Sequence, residues 1–147
     1  MNRILTRLLV FGLFAGIGWV GYQISDVTDC SGPRSDAWAD ATINRLDAAT
    51  HDYDSWNEYT SLAQFSVLAN RAEQRYRAQL SEDTISCIED LQEQTVDFFY
   101  YEWKMYEAAG KGDFYLANEY DKDAIIASEE MMRELEKMAE KYDWDLD

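Results

Sequence analysis

Histidine, proline, cysteine and glycine are all scarce in this chain, and each shortage removes a class of chemistry or architecture. His51 is the only histidine. That excludes metal centres built on several imidazoles, including the paired Glu-x-x-His di-iron sites of helical bundles. There is no Cys-x-x-Cys-His for haem attachment, no P-loop, no dinucleotide glycine fingerprint, and no Ser/His/Asp set with glycine turns. The two cysteines, Cys30 and Cys87, are too far apart for a zinc knuckle. Pro33 is the single proline, and after Gly32 only Gly110 and Gly112 break the chain. No alternating apolar run is bounded by turn residues, whereas apolar residues recur at spacings of three and four. The fold is therefore expected to be all-α.

Acid, by contrast, is abundant, with 29 Asp/Glu against 13 Lys/Arg and a net charge of −16. The distribution is uneven. Residues 1–24 carry Arg3 and Arg7 and no acid, so residues 25–147 hold 11 basic against 29 acidic side chains, a formal −18. Ile4–Ile24 is apolar apart from Thr6, Arg7 and Gln23, and as a helix it would span about 31 Å, close to a hydrocarbon core of about 30 Å. Arg7 can snorkel to the interface, and Trp19 and Tyr22 stand where an aromatic belt belongs. Positive charge before the apolar segment and acid after it predict a cytoplasmic N-terminus and an extracytoplasmic remainder. A signal peptide cleaved at Gly16–Ile17–Gly18 is the competing reading. Residues 1–24 are thus read as a transmembrane signal anchor, 25–34 as a linker holding Cys30, and 35–147 as an acidic extracytoplasmic domain. Gly12 and Gly16 form a GxxxG that would let a second membrane helix approach closely.

In an oxidising compartment, two cysteines predict one disulfide, Cys30–Cys87. Helix 1 is expected over Ser35–Thr50, then a break at His51–Asp54 with Asp54 or Ser55 as the next N-cap, and helix 2 over Trp56–Leu80. Leu62, Phe65, Ala69, Ala72 and Tyr76 would form its inner face. Ser81 is placed as the cap of helix 3, which runs through Ala109. Gly110–Lys111–Gly112 is a turn, and Asp113 caps helix 4, which reaches about Tyr142. The break and the disulfide support each other. One unbroken helix of about 46 residues would hold the starts of helices 1 and 3 some 65–70 Å apart, whereas an up-down four-helix bundle brings them to one end.

Helix 4 has a seven-residue stripe, Ala117, Ala124, Met131 and Met138, with Asp121, Ser128, Leu135 and Tyr142 as the companion seam. Helix 3 is apolar on too many sides for one stripe. Either it is the central helix, or Phe99, Tyr100, Trp103 and Tyr106 are exposed and bind a partner. Arg71 and Arg75 share a face at i and i+4, with Arg77 nearby, and are expected to pair with carboxylates of helix 3 or 4. Asp143/Asp145/Asp147, Asp52/Asp54 and Glu119/Asp121/Asp123 have fragments of the spacing that opens a calcium loop, without its glycine or closing Glu. No metal ligand set is assigned. The acidic surface would repel nucleic acid.

The order Cys30…Trp38, Arg71–Ala72…Arg75, Cys87 and Gly112–Asp113 resembles uncharacterised secreted or membrane-anchored bacterial four-helix domains with two cysteines. Those domains often place Pro before the second Cys, where this chain has Thr84–Ile85–Ser86. The resemblance implies a fold and a location but no activity. The function expected is that of a non-catalytic, membrane-anchored accessory or scaffolding subunit, with no catalytic residue and no cofactor. Its partners would be the membrane, through the N-terminal helix, and a protein partner or a second copy. The alternative is an extracytoplasmic binding or sensing domain for a cation or cationic small ligand.

Overall fold

A computed structural model describes residues 33–82 and 86–142. It contains α1 (Pro33–Ser55), α2 (Leu62–Leu80), one 3-10 turn (Ser86–Ile88), α3 (Glu89–Gly110) and α4 (Phe114–Tyr142), and among the described residues no strand. The described residues are all-α, as the lack of turn residues and alternation implied. The apolar segment 1–24, with Gly12 and Gly16, and the linker with Cys30 lie outside the described residues. Among those that are described, no helix is long and apolar enough to cross a membrane.

Cross-helix contacts set the direction of each helix. On α1, Arg45 reaches Gln79 and Glu82 while Asp52 reaches Arg71 and Arg75, so α1 and α2 run antiparallel. Gln79 meets Gln92, Arg75 meets Glu102 and Ser66 lies against Gly110, which runs α3 back along α2. Between α3 and α4, Thr95 donates to Met131 Sδ at 3.4 Å, and the turn after Gly110 reverses the chain.

The break between α1 and α2 exists, but it falls after His51–Asp54. Asp52 is buried and held by two arginines, so it continues the helix as an ion-pair partner where local propensity suggested a turn. His51 is accordingly an exposed helical residue, not a loop residue. The chain turns over Trp56–Ser61 instead. There Asn57 Oδ1 accepts from the Tyr59 N–H at 2.8 Å, and Thr60 Oγ1 accepts from the Asn57 N–H at 2.8 Å. These side chains stand in for helical backbone bonds. Ser61 then caps α2 in a capping box with Gln64, which replaces Asp54 or Ser55 as the N-cap. Ser81 also changes role. It closes α2, its N–H bonding to Arg77 O, and α3 begins at Glu89 after the 3-10 turn.

The α3–α4 connection is as the residues implied. Gly112 has φ of 81°, which glycine adopts without steric cost, and Asp113 Oδ1 accepts the Leu116 N–H at 3.0 Å as the N-cap of α4.

Helix α3 is the central element. One core cluster joins Trp38 and Leu46 of α1 to Ile88, Leu91, Phe98 and Phe99 and to Ala124, Ala127 and Met131 of α4. A second joins Phe65, Leu68 and Ala72 of α2 to Met105, Tyr106, Ala108 and Ala109 and to Ala117. Phe99 and Tyr106 are fully buried in these clusters and are corrected from partner surface to core. A helix packed on three sides needs more than one apolar stripe, and these two rings fill the inner layers. On α4 the expected stripe is buried at Ala117, Ala124 and Met131, with Ser128 of the companion seam. The alanines let α4 lie close to α3. The expected inner face of α2 is buried at Phe65, Ala69 and Ala72, while Tyr76 is half-buried and Leu62 exposed.

Replacing Gly112 by Ala forces a Cβ into the left-handed region and should cost about 1–2 kcal/mol, read as a lower denaturation midpoint at unchanged slope.

Candidate functional site

The most concentrated chemistry lies where α1, α2 and α3 meet. Asp52, Arg75 and Glu102 are all under a tenth exposed. The Arg75 guanidinium donates from Nη1 to Asp52 Oδ2 at 2.7 Å, from Nη2 to Glu102 Oε1 at 2.6 Å and from Nε to Glu102 Oε2 at 3.3 Å. Its fork thus grips Glu102 at both oxygens, a geometry lysine could not reproduce. Arg71, one turn earlier, donates to Asp52 Oδ1 at 2.9 Å, and its side chain is 57% exposed. Two guanidinium groups balance two carboxylates, and the cluster touches water on the Arg71 side.

Burial pushes the Glu102 carboxyl above the usual range. Arg75 opposes that shift, and the neighbouring charge of Asp52 adds to it. Burial works against the charge on Arg75, but Glu102 and Asp52 outweigh it and hold its value above the ordinary one. Tyr106 lies in the same field. Its hydroxyl finds no hydrogen-bond partner among the described residues, and burial, then the charge of Glu102, holds its proton well above the ordinary phenol value. A cavity of about 20 Å³, room for about one water, opens beside Glu102 among Tyr53, Met105 and Asp121. The Tyr53 hydroxyl donates to Asp121 Oδ1 at a long 3.5 Å.

Nearer the other end of the same interface, a neutral network continues the pattern. The Trp38 indole and the Gln79 amide both donate to Gln92 Oε1, at 2.6 and 2.7 Å, and Gln92 donates back to Gln79 O at 2.6 Å. Gln79 Oε1 accepts from Arg45 at 2.9 Å, and Arg45 also pairs with Glu82. The contact of α1 with α2 is therefore largely polar, while α1 meets α3 both through these polar groups and through the apolar cluster of Trp38 and Leu46 with Leu91 and Phe98. Such groups are directional, so each pins one register of the helices it joins. Both carboxylates of the ion cluster already have oxygens engaged by guanidinium, so the arrangement suits holding three helices together.

The structure sorts the residues singled out by sequence. Arg71 and Arg75 do pair with carboxylates, but Asp52 comes from α1, and only Arg75 reaches α3, through Glu102. Arg77 pairs with Glu73 on its own helix. Asp52 is a partner of arginine and not half of a cation fragment, and Asp54 is exposed. Among the described residues no group of three His, Cys, Asp or Glu side chains could hold a metal ion; Asp143, Asp145 and Asp147 lie outside them. Cys87 is in a disulfide, and Cys30, the other cysteine of the chain, lies outside the described residues. Tyr100 and Trp103 are half-buried on the flank of α3. Tyr76 stacks on Trp103 with centroids 5.6 Å apart, and the Lys104 ammonium sits 4.1 Å from the Trp103 centroid.

No family model, curated protein or solved structure matches the chain.

A second feature escaped the sequence reading. Tyr59 (85% exposed) and Leu62, from the α1–α2 connection and the start of α2, accompany Phe114, Tyr115 (79%) and Leu116 from the first turn of α4. They share one end of the bundle. Phe114 packs on Phe65 at 6.2 Å, Phe65 on Trp56 at 5.8 Å, and Leu62 lies beside Gly112. The signal was present, since three consecutive apolar residues on a helix cannot all face one core.

Arg75→Ala leaves the buried Glu102 without its guanidinium and Asp52 with Arg71 alone, and should cost about 3–5 kcal/mol. Adding Asp52→Asn and Glu102→Gln should recover about half of that loss, read by urea denaturation as a non-additive cycle. At Glu102 the raised value means that the folded state binds the proton more tightly than the unfolded chain. Its contribution therefore falls as pH rises from the unfolded value through the folded one, and is restored below that window. Denaturation at a series of pH values should show wild type gaining on Glu102→Gln as pH is lowered from neutrality. A difference that is flat or moves the other way refutes this reading.

Proposed function

We propose that this chain is a non-catalytic accessory or scaffolding subunit, anchored in a membrane by its first 24 residues, whose extracytoplasmic bundle docks another protein. The observation that carries the reading is the group of exposed apolar side chains at one end of the bundle, Tyr59, Leu62, Phe114, Tyr115 and Leu116. Exposed tyrosine and phenylalanine lose little conformational entropy on binding and contribute much contact area, which is why interfaces favour them. Because α1 enters from the opposite end, an N-terminal anchor would leave this patch facing away from the bilayer. A bundle locked by buried ion and amide networks suits a rigid platform. The reading as a cation-binding domain has less support, since the most buried carboxylates, Asp52 and Glu102, are already neutralised by Arg71 and Arg75.

Cross-linking in native membranes followed by purification of the full chain should recover a protein partner. The double variant Phe114→Ser/Tyr115→Ser should reduce that recovery at least about tenfold while leaving the helical content intact. A chain that purifies as a stable monomer with no cross-linked partner defeats the proposal.

A further inference from the structure

The patch also carries information about its occupant. Asp54, in the last turn of α1, lies at the same end of the bundle, Glu58 adjoins Tyr59 in the chain, and both are exposed. Neither has an ion-pair partner among the described residues. Asp113, beside Phe114, adds a third carboxylate. Of the nearby cations, Lys111 is already engaged by Glu107 at 3.0 Å, and Lys122, which feels the Tyr115 side chain, by Glu119 at 2.7 Å. The rim of the patch is thus net negative, on a domain that is itself strongly acidic. Resting on the docking reading above, we infer that the occupant is a segment of another protein that presents apolar anchors flanked by lysine or arginine.

Charge complementarity selects this occupant over the others. A second copy would bring the same three carboxylates against themselves, and like charges juxtaposed across an interface are disfavoured. An anionic lipid surface would meet the same repulsion. A basic segment gains at each step. Its cations are steered toward the acidic end, its apolar residues cover Tyr115 and Phe114, and its lysines or arginines end beside Asp54 and Glu58 in partly dried surroundings, where charge pairs are stronger than in bulk water. Among the described residues, the other large exposed apolar side chains, Val67, Leu80 and Ile126, are separated from one another along α2 and α4 and form no such bordered surface.

The test is a photo-activatable residue replacing Tyr115 in the full chain in its native membrane, with the adduct mapped to its peptide. The expected adduct is a segment of another protein containing apolar residues and at least two lysines or arginines. Asp54→Lys/Glu58→Lys should lower the adduct yield at least about tenfold. Asp54→Asn/Glu58→Gln should lower it less, because it removes attraction without adding repulsion. Both pairs are on the surface, and unchanged circular dichroism melts establish that the variants fold. An adduct with a protein segment lacking basic residues, an adduct with a second copy, or a yield indifferent to both variants overturns the inference while leaving protein docking in place. An adduct with lipid alone, or no adduct, overturns the inference and the docking reading together.

Discussion

The arrangement of the bundle depends on one guanidinium. Arg75 of α2 holds Asp52 of α1 and Glu102 of α3 at hydrogen-bond distance, and it does so where none of the three is appreciably wet. A buried charge pair adds little net stability compared with a well-packed apolar replacement, but an unpartnered member is very costly. The cluster therefore penalises every arrangement in which one helix slips or rotates away. Helix α1 feels this most, because its other polar contacts are those of Thr42 and Arg45 to Gln79 and Glu82 and of Trp38 to Gln92 on α3. Apolar packing brings the helices together, and these directional groups choose the register.

That constraint explains the main differences between expectation and structure. Asp52 has low helix propensity and sits in a polar stretch, His51–Asp54, which reads locally as a break. The two arginines that hold it are 19 and 23 residues further along. No local rule can weigh an ion pair closed by tertiary contact, so the helix runs on to Ser55. The real stop, Asn57 to Ser61, was legible, since Ser61 and Gln64 are a capping box in plain sequence. It lost only to an earlier candidate. On α3 the surplus of aromatics correctly indicated either a central helix or a binding face, and burial of Phe99 and Tyr106 decides for the first.

The molecule separates its polarity in two ways. Inside, charges are balanced and locked between α1, α2 and α3. At one end, apolar rings stand in water near carboxylates that have no ion-pair partner among the described residues. The row of rings from Tyr53 through Trp56 and Phe65 to Phe114 connects these regions, so the exposed rings rest on a packed base. A patch built on such a base is pre-organised, and less ordering entropy is lost when it is covered.

By itself the sequence determined the helical class, the four helices of the described residues, the Gly112–Asp113 turn and the inward stripe of α4, because these follow from propensity, capping and periodicity within a few turns of chain. The pairing of arginines with acids was also legible as a tendency, since isolated cations in an acidic protein seek carboxylates. Only the tertiary structure decided which carboxylates they found, which aromatics were core and which formed the exposed end. Those outcomes depend on how helices rotate against one another. That rotation is set by buried polar contacts such as Asp52–Arg75–Glu102 and Gln79–Gln92, between residues far apart along the chain.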